Sequence, residues 1–293
     1  MSIAHIFLWA TAAIWGFAFV AQSVGMESLG PHSFNAMRFL LATLSLLPLL
    51  FIFKPKQSQS NRKLWLGGLA AGICLFLGFT CQQIGLQYTT AGNAGFITSM
   101  YIVFVPILGL MLGHKTERHT WIGVGLALVG LYSLTVGPSL SINKGDAIEL
   151  LGTLFWTGHV LLIGYLSRYV SALPLSIVQF FIATILASIT ASILETPTLE
   201  GIKMAWWPLV YAGVASSGIA FTLQTLGQKN VSPSISALIL SSEAVFAVLG
   251  GWIFMEEILS TRALVGCGFI MTGMIISQWP RQAKTTIKLA QQP

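Results

Sequence analysis

The chain has 293 residues, of which 55% are hydrophobic and only 8% are charged, with a formal net charge of +6. Because soluble domains carry roughly 25% charged residues, this composition excludes an ordinary soluble protein and indicates a polytopic membrane protein. The positive charge does not indicate nucleic-acid binding, since no basic face with interleaved aromatic residues occurs outside the apolar runs.

Apolar runs of about 20 residues, the length that crosses roughly 30 Å of hydrocarbon, follow one another along the chain. They predict an all-α membrane protein with ten transmembrane helices. The three cysteines lie inside these runs, which favours packing over a disulfide framework, and no metal or other cofactor is expected. The predicted spans are 3–24, 33–53, 64–87, 91–112, 120–137, 146–166, 174–194, 205–227, 233–254 and 261–279.

Lysine and arginine residues are unequally distributed between the two sets of loops. With the amino terminus in the cytoplasm, the inner loops and the tail 280–293 contain eleven of the 15, the outer loops contain three, and Arg38 lies within a span. Cytoplasmic loops retain basic residues, so both termini are predicted to be cytoplasmic. We expect a multi-pass protein of the inner (plasma) membrane.

One stretch of the chain occurs twice. Residues 79–113 and 221–255 carry matching residues at the same spacing, 142 residues apart. Each repeat holds five predicted spans, and because five is odd the second repeat must enter the membrane from the opposite side. Residues 1–137 and 145–279 are therefore expected to be inverted halves around a shared site, the usual arrangement of a secondary transporter. The matching positions include Phe79, Thr80, Gln82 and Gly85 against Phe221, Thr222, Gln224 and Gly227.

Glu243 is the strongest candidate for a functional residue. A carboxylate within the hydrocarbon costs about 2.5 to 3.5 kcal/mol on insertion scales, so an acid in mid-helix is a functional candidate by default. On a regular helix Glu243 shares a face with Ser236, and Thr98 shares a face with Tyr101 at the equivalent repeat position. Glu243 is expected to bind a substrate amine or to exchange a proton. The alternative is a structural glutamate that is protonated or hydrogen-bonded.

The sixth span carries a stripe of candidate residues, Glu149, Gly152, Trp156 and His159, at steps of 3, 4 and 3. His159 lies deep in the span, and histidine is suited to proton coupling near neutral pH. The alternative is a neutral histidine bonded to a neighbouring carbonyl group. For Asp146 and Glu149, capping of the positive helix end is favoured over substrate contact.

Aromatic and polar residues complete the predicted site. Trp15, Tyr101 and Trp156 are expected to present π faces to a cationic or aromatic metabolite, with core packing as an equal alternative. Gln82 is one of several polar residues within the spans, some of which must face a wet cavity. Arg38 is expected to snorkel to the interface, with a role in substrate binding as the less favoured alternative. Because the other predicted spans contain only one lysine or arginine, Arg262, the second residue of the last span, an organic phosphate is disfavoured and an uncharged, zwitterionic or cationic solute is favoured.

Several short motifs follow one another along the chain: Trp15-Gly16, Pro31, Arg38-Phe39, GLQYTTAGNAGFITSMYIVFVPILGLMLG, Gly145-Asp146, Trp156, and SSEAVFAVLGGWIFMEEILS with Glu243 and Glu257. In this order and spacing they resemble the drug/metabolite transporter superfamily, specifically its EamA-type ten-helix exporters, over essentially the whole chain. The resemblance implies export of a small organic metabolite, of which an amino acid is one candidate. The expected partners are a small-molecule substrate, membrane lipid and a proton as a candidate coupling ion, and not nucleic acid.

Three alternatives to a metabolite exporter are a drug exporter, an intramembrane enzyme and a scaffold. Within the carrier class, a drug or toxic-cation exporter is the nearest alternative. An intramembrane enzyme would use His159 with Ser216 or Ser217, but the serines lie in ASSGIA, which lacks a nucleophile-elbow pattern. The chain is therefore not expected to be an enzyme. A scaffold without a substrate would not require an acid at Glu243.

Overall fold

The computed structural model describes residues 2–54, 60–135, 143–256 and 260–277. Within these ranges the chain folds into helices that are joined by short turns, as the apolar runs predict. A short helix, Leu199–Met204, precedes the eighth long helix. The long helices are α1 (Ile3–Gly25), α2 (Pro31–Phe53), α3 (Asn61–Gly85), α4 (Ala91–Met111), α5 (Arg118–Thr135), α6 (Lys144–Leu166), α7 (Ala172–Leu194), α8 (Trp206–Gln228), α9 (Pro233–Phe254) and α10 (Thr261–Ser277).

Eight of these helices, all but α5 and α10, are long and apolar enough to cross a membrane. Helix α10 is apolar but has 17 residues, and α5, with 18 residues, packs along it. An all-α polytopic membrane protein is confirmed, whereas the count of ten spans stays a prediction. The predicted span ends at 137 and 279, Glu257 and the tail 280–293 lie outside the described residues.

Local signals explain where several helices begin. The Ser60 hydroxyl accepts a hydrogen bond from the backbone of Lys63 at the start of α3, and Thr90 caps α4 in the same way. Such caps satisfy amide groups that the first helical turn leaves free. Away from the helix ends, large apolar side chains such as Leu44 and Ile185 remain exposed, as expected for a surface that contacts lipid.

Helices α4 and α9 are each interrupted in the middle. The first turns at Met100 and the second at Ser241–Ser242. The hydroxyls of Ser241 and Ser242 donate to carbonyl groups three residues earlier, at 2.8 and 2.7 Å, and such back-bonding bends helices. The two interruptions touch, because the Ser99 hydroxyl donates to the Ser241 carbonyl at 3.3 Å.

A π-helix in α8 coincides with a change in the repeat spacing. Helices α1 and α6 begin and end 141 residues apart, as do α2 and α7. Gly72 packs on α7 as Gly213 packs on α2, again 141 residues apart, yet Phe79 and Phe221 are 142 apart. The added residue therefore falls between Gly213 and Phe221, within the π-helix Tyr211–Ile219. A π turn, which spans one residue more than an α turn, accommodates it.

Helices α5 and α10 approach at paired glycines. A Cβ atom built on Gly123 would lie 2.5 Å from the carbonyl oxygen of Gly273, and one on Gly130 would lie 2.5 Å from that of Gly266. Only residues without a side chain allow backbones to approach this closely, which is how membrane helices pack where lipid provides no hydrophobic drive. The order of the contacts shows that the two helices run antiparallel.

Candidate functional site

A cavity lies where α1, α3, α4, α6, α8 and α9 converge. Its volume is about 30 Å³, room for little more than a water molecule. Seven of the eight residues that the sequence predicts for the binding site line it: Trp15, Gln82, Thr98, Tyr101, Trp156, His159 and Glu243. The structure therefore brings together residues that are up to 228 positions apart in the sequence.

Ser236 is the predicted residue that this cavity does not include. Its side chain is fully buried, and its hydroxyl has no hydrogen-bond partner among the described residues. The prediction placed Ser236 and Glu243 on one helical face, which requires an unbroken helix between them. The interruption at Ser241–Ser242 removes that relationship.

The central contact of the cavity lies beside the two helix interruptions. The Tyr101 hydroxyl donates to Oε1 of Glu243 at 3.0 Å, and the two residues are 142 positions apart. Both side chains are buried. A hydrogen bond of this kind stabilises a buried carboxyl group while leaving it able to accept further donors.

Glu149 is a second buried acid, and it lies behind the lining residue Thr98. Gln82 donates to the Thr98 hydroxyl at 3.2 Å, and that hydroxyl donates to Glu149 at 3.4 Å. The other oxygen of Glu149, Oε1, is buried without a partner among the described residues. Capping is performed by Asn143 and Asp146, which form a reciprocal capping box at the start of α6. The prediction of capping is thus correct for Asp146 and wrong for Glu149, which lies one turn deeper.

His159 is buried and forms a hydrogen bond with α7. Its Nε2 atom lies 3.0 Å from Oε1 of Gln179, an acceptor. The alternative given for His159 was a bond to a neighbouring carbonyl group, and its partner is the carbonyl oxygen of the Gln179 side-chain amide. The hydroxyls of Ser216 and Ser217 accept from Arg38, so the histidine and the serines have different partners.

Aromatic rings form much of the cavity wall and also pack against one another. The ring centroids of Trp15 and Phe221 lie 4.5 Å apart, and those of Phe79 and Trp156 lie 4.6 Å apart in an edge-to-face arrangement. Trp15 also donates through Nε1 to the Ser216 carbonyl at 3.0 Å. The two roles predicted for these rings, cavity lining and core packing, therefore coexist.

Arg38 lies behind this wall with its side chain 0% exposed. It donates to the Gln22 side chain at 2.8 Å and to the Ser216 and Ser217 hydroxyls at 3.2 Å each. Its guanidinium carbon lies 4.0 Å from the centre of the Phe79 ring. The prediction that Arg38 snorkels to the interface is wrong, because α2 turns this side chain toward α1 and α8, where its hydrogen-bond partners lie.

Comparison with known families settles the class of protein. The model of the EamA-like transporter family matches residues 2–136 and again residues 143–278. This chain belongs to the EamA-like transporter family. It is accordingly a multi-pass membrane transporter of the drug/metabolite type, as the motifs indicate.

Relatives of this EamA-like chain carry consistent names. An uncharacterized transporter of Archaeoglobus fulgidus is 34% identical over 266 residues, which cover 90% of this chain and 82% of the relative. The uncharacterized inner membrane transporter YedA of Escherichia coli (strain K12) is 26% identical over 278 residues, 92% of this chain and 88% of YedA. A chain in a solved crystal structure superposes with a TM-score of 0.79 over 95% of this chain and 97% of its own length. At 14% identity that likeness shows the fold alone.

Proposed function

We propose that this EamA-like transporter exports a small organic metabolite across the inner (plasma) membrane by alternating access, with an amino acid as the leading candidate. The outward direction and the metabolite class rest on the resemblance to EamA-type exporters. The observation that carries the proposal is the buried Glu243 carboxyl group, held by Tyr101 at the meeting point of two interrupted helices and open to a cavity.

Contacts between repeat-equivalent residues support two inverted halves, residues 1–137 and 145–279. Ser99 bonds to Ser241 and Tyr101 bonds to Glu243, and each pair is 142 residues apart. A residue can touch its own equivalent only near the axis that relates the two copies. The paired glycines of α5 and α10 follow the same pattern. The glycine that one half contributes to the first contact is the repeat equivalent of the glycine that the other half contributes to the second contact, as two-fold symmetry requires. The cavity then lies between the halves, where alternating access needs it.

Glu243 is proposed as the coupling residue. A carboxyl group that binds a proton in one conformation and a substrate amine in the other makes the two binding events mutually exclusive, and this exclusion links their movements. His159 is a second candidate for proton exchange, because it lines the same cavity. Both termini are placed in the cytoplasm by the excess of basic residues in the loops on that side.

Transport by purified protein in sealed proteoliposomes tests the proposal. A panel of labelled amino acids and other small metabolites is offered with and without an imposed pH gradient, and at least one solute is expected to move faster when the gradient is present. The Glu243→Gln variant should transport that solute at least about tenfold more slowly and without pH dependence, because the amide cannot exchange a proton. Glu200→Gln, at an exposed position on the short helix, serves as the control. The proposal fails if no solute moves or if Glu243→Gln behaves as wild type.

The aromatic walls together with a buried acid also suit a hydrophobic cation, which keeps the drug or toxic-cation exporter as the alternative function. Competition separates the two. If tetraphenylphosphonium blocks transport while amino acids and other polar metabolites do not, the alternative holds. If polar metabolites compete and the hydrophobic cation does not, the metabolite exporter holds.

A further inference from the structure

Arg38 is a buried cation whose hydrogen-bond partners in the described part of the chain are all neutral. Its hydrogen-bond acceptors are the amide of Gln22 and the hydroxyls of Ser216 and Ser217, and the one ion pair among the described residues lies elsewhere. Buried charges in proteins are normally paired with an opposite charge, because their removal from water is expensive. A guanidinium group without an anion therefore points to an anion that is supplied from outside the chain.

The guanidinium group of Arg38 also has more N–H donors than it has hydrogen bonds to the described residues. Arginine has five N–H donors in a planar fork, and three hydrogen bonds to Arg38 are present in the described part of the chain. Three of its neighbours, Gln22, Ser216 and Phe79, line the cavity themselves. Arg38 thus lies one side chain behind the wall, and a ligand in the cavity can reach its guanidinium group only if these side chains move.

The π-helix in α8 gives a second, independent indication. Gly213 lets α8 approach α2 so closely that a Cβ atom there would lie 3.0 Å from the Arg38 carbonyl oxygen. Three residues later the π turn presents Ser216 and Ser217 to the same guanidinium group. Successive residues of an α-helix point about 100° apart, and the wider π turn reduces that angle. Such turns are frequent at functional sites, and here the inserted residue organises the surroundings of Arg38.

We infer that Arg38, with Gln22 and Ser216, forms an anion-binding end of the substrate site, which takes a carboxylate. The planar fork of arginine binds a carboxylate through two parallel hydrogen bonds. With Glu243 available for an amine, the cavity carries an acidic and a basic end and suits a zwitterionic amino acid. This inference rests on the proposed function and narrows its substrate class.

Wild-type protein alone provides the first test. For each labelled amino acid that proteoliposomes transport, the unlabelled acid is compared as a competitor with its carboxamide, which keeps the amine and loses the negative charge. We expect the carboxamide to compete at least about tenfold more weakly, because one charge-assisted pair of hydrogen bonds is lost. Equal competition by the acid and the carboxamide would overturn the subsite while leaving transport established. Absence of flux for every compound, with or without a carboxylate, would contradict the proposed function itself.

Arg38 variants provide the second test. Arg38→Gln should remove the difference between acid and carboxamide, and Arg38→Lys should reduce it, because lysine keeps the charge but not the fork. Arg62→Gln, at an exposed position in the first turn of α3, is the control and should retain the full difference. Gel filtration in detergent reports whether each variant folds. If Arg38→Gln does not fold, the difference between acid and carboxamide measured for Arg38→Lys tests the subsite. An Arg38→Lys variant that slows transport while keeping the acid-to-carboxamide ratio of wild type would assign Arg38 a structural role instead.

Discussion

The crossing of α2 with α8 and the crossing of α7 with α3 have the same backbone geometry and different chemistry. A Cβ atom built on Gly213 would lie 3.0 Å from the carbonyl oxygen of Arg38, and one built on Gly72 would lie 2.7 Å from that of Gln179. Arg38 and Gln179 therefore occupy equivalent places. The first is charged and bonds to three neutral groups, whereas the second is neutral and bonds to His159.

A second pair of crossings shows the same contrast. Gly85 packs on Glu149 and Gly227 packs on Leu8, each with an ideal Cβ atom 2.7 Å from the Cγ atom of its neighbour. One position holds an acid and its equivalent holds a leucine. Duplication thus determines where the helices touch, because a close approach tolerates only glycine. The chemistry of the cavity depends on the side chains that differ between the halves.

The largest effect is expected when an acid is introduced at Leu8, the position in the first half that is equivalent to Glu149. Leu8→Glu would place a carboxyl group beside Gly227 in the apolar core without the hydroxyl that Thr98 offers to Glu149. An uncompensated buried charge is destabilising by about 3 to 5 kcal/mol. We expect the variant to show a strongly reduced yield and melting temperature in detergent. Leu8→Met is the control, and a Leu8→Glu variant as stable as this control would contradict the contrast between the two crossings.

The next largest effect concerns transport through the central pair. Glu243→Tyr gives both halves a tyrosine at this position and should reduce flux about thirtyfold, since no acid remains to exchange a proton. Adding Tyr101→Glu restores the acid on the other half, and because both positions lie at the axis we expect the double variant to regain most of the loss. Proteoliposome flux of the same solute measures both variants. A double variant as inactive as the single one would show that the two positions are not interchangeable.

An intermediate effect is expected at the crossing of α5 and α10. Gly123→Val introduces a side chain against the Gly273 backbone, and overpacking of this kind destabilises by about 1 to 3 kcal/mol. Gly125→Val is a matched control two residues away, where an added Cβ atom meets nothing within 4 Å. Thermal unfolding in detergent, followed by tryptophan fluorescence, should show a lower melting temperature for the first variant only. Equal shifts for both would indicate a general effect of valine in this helix.

The smallest effect is expected when Glu149 is replaced by the residue of the other half. Glu149→Leu removes one hydrogen bond from Thr98 and fills an equivalent space with an apolar side chain. Replacing buried ionisable groups by hydrophobic residues of similar size is often neutral or stabilising, so we expect a stability change within about 1 kcal/mol. Thermal unfolding measures this change, and a loss as large as that of Leu8→Glu would refute it.

The sequence predicts the helices and most of the cavity well, for identifiable reasons. Apolar runs and glycine spacing locate the helices, and the rarity of polar groups in a membrane singles out residues such as Glu243 and Gln82. The interruption at Ser241–Ser242 escaped prediction because neither proline nor glycine marks it, and the position of Ser236 was misjudged as a result. The change in repeat spacing between Gly213 and Phe221 was a usable signal for the π-helix.

Burial of Arg38 and Glu149 could not be read from the sequence in the same way. Each lies within two turns of a predicted span end, where a long side chain can reach water in an isolated helix. Which face of α2 or α6 turns inward depends on the glycines of other helices, such as Gly213 and Gly85. Those partners lie far away in the sequence, so the pattern within one helix does not determine the outcome.

The hydrogen bond between Tyr101 and Glu243 has one further consequence. When two related halves of a molecule exchange shapes, points on the line between them travel least, while the outer ends of the helices swing through the largest arcs. A carboxyl group on that line can stay almost stationary and meet water first from one face of the membrane and then from the other. The protein would then need no long chain of side chains or waters to conduct protons, because the access routes to the carboxyl group would change while the carboxyl group stays in place.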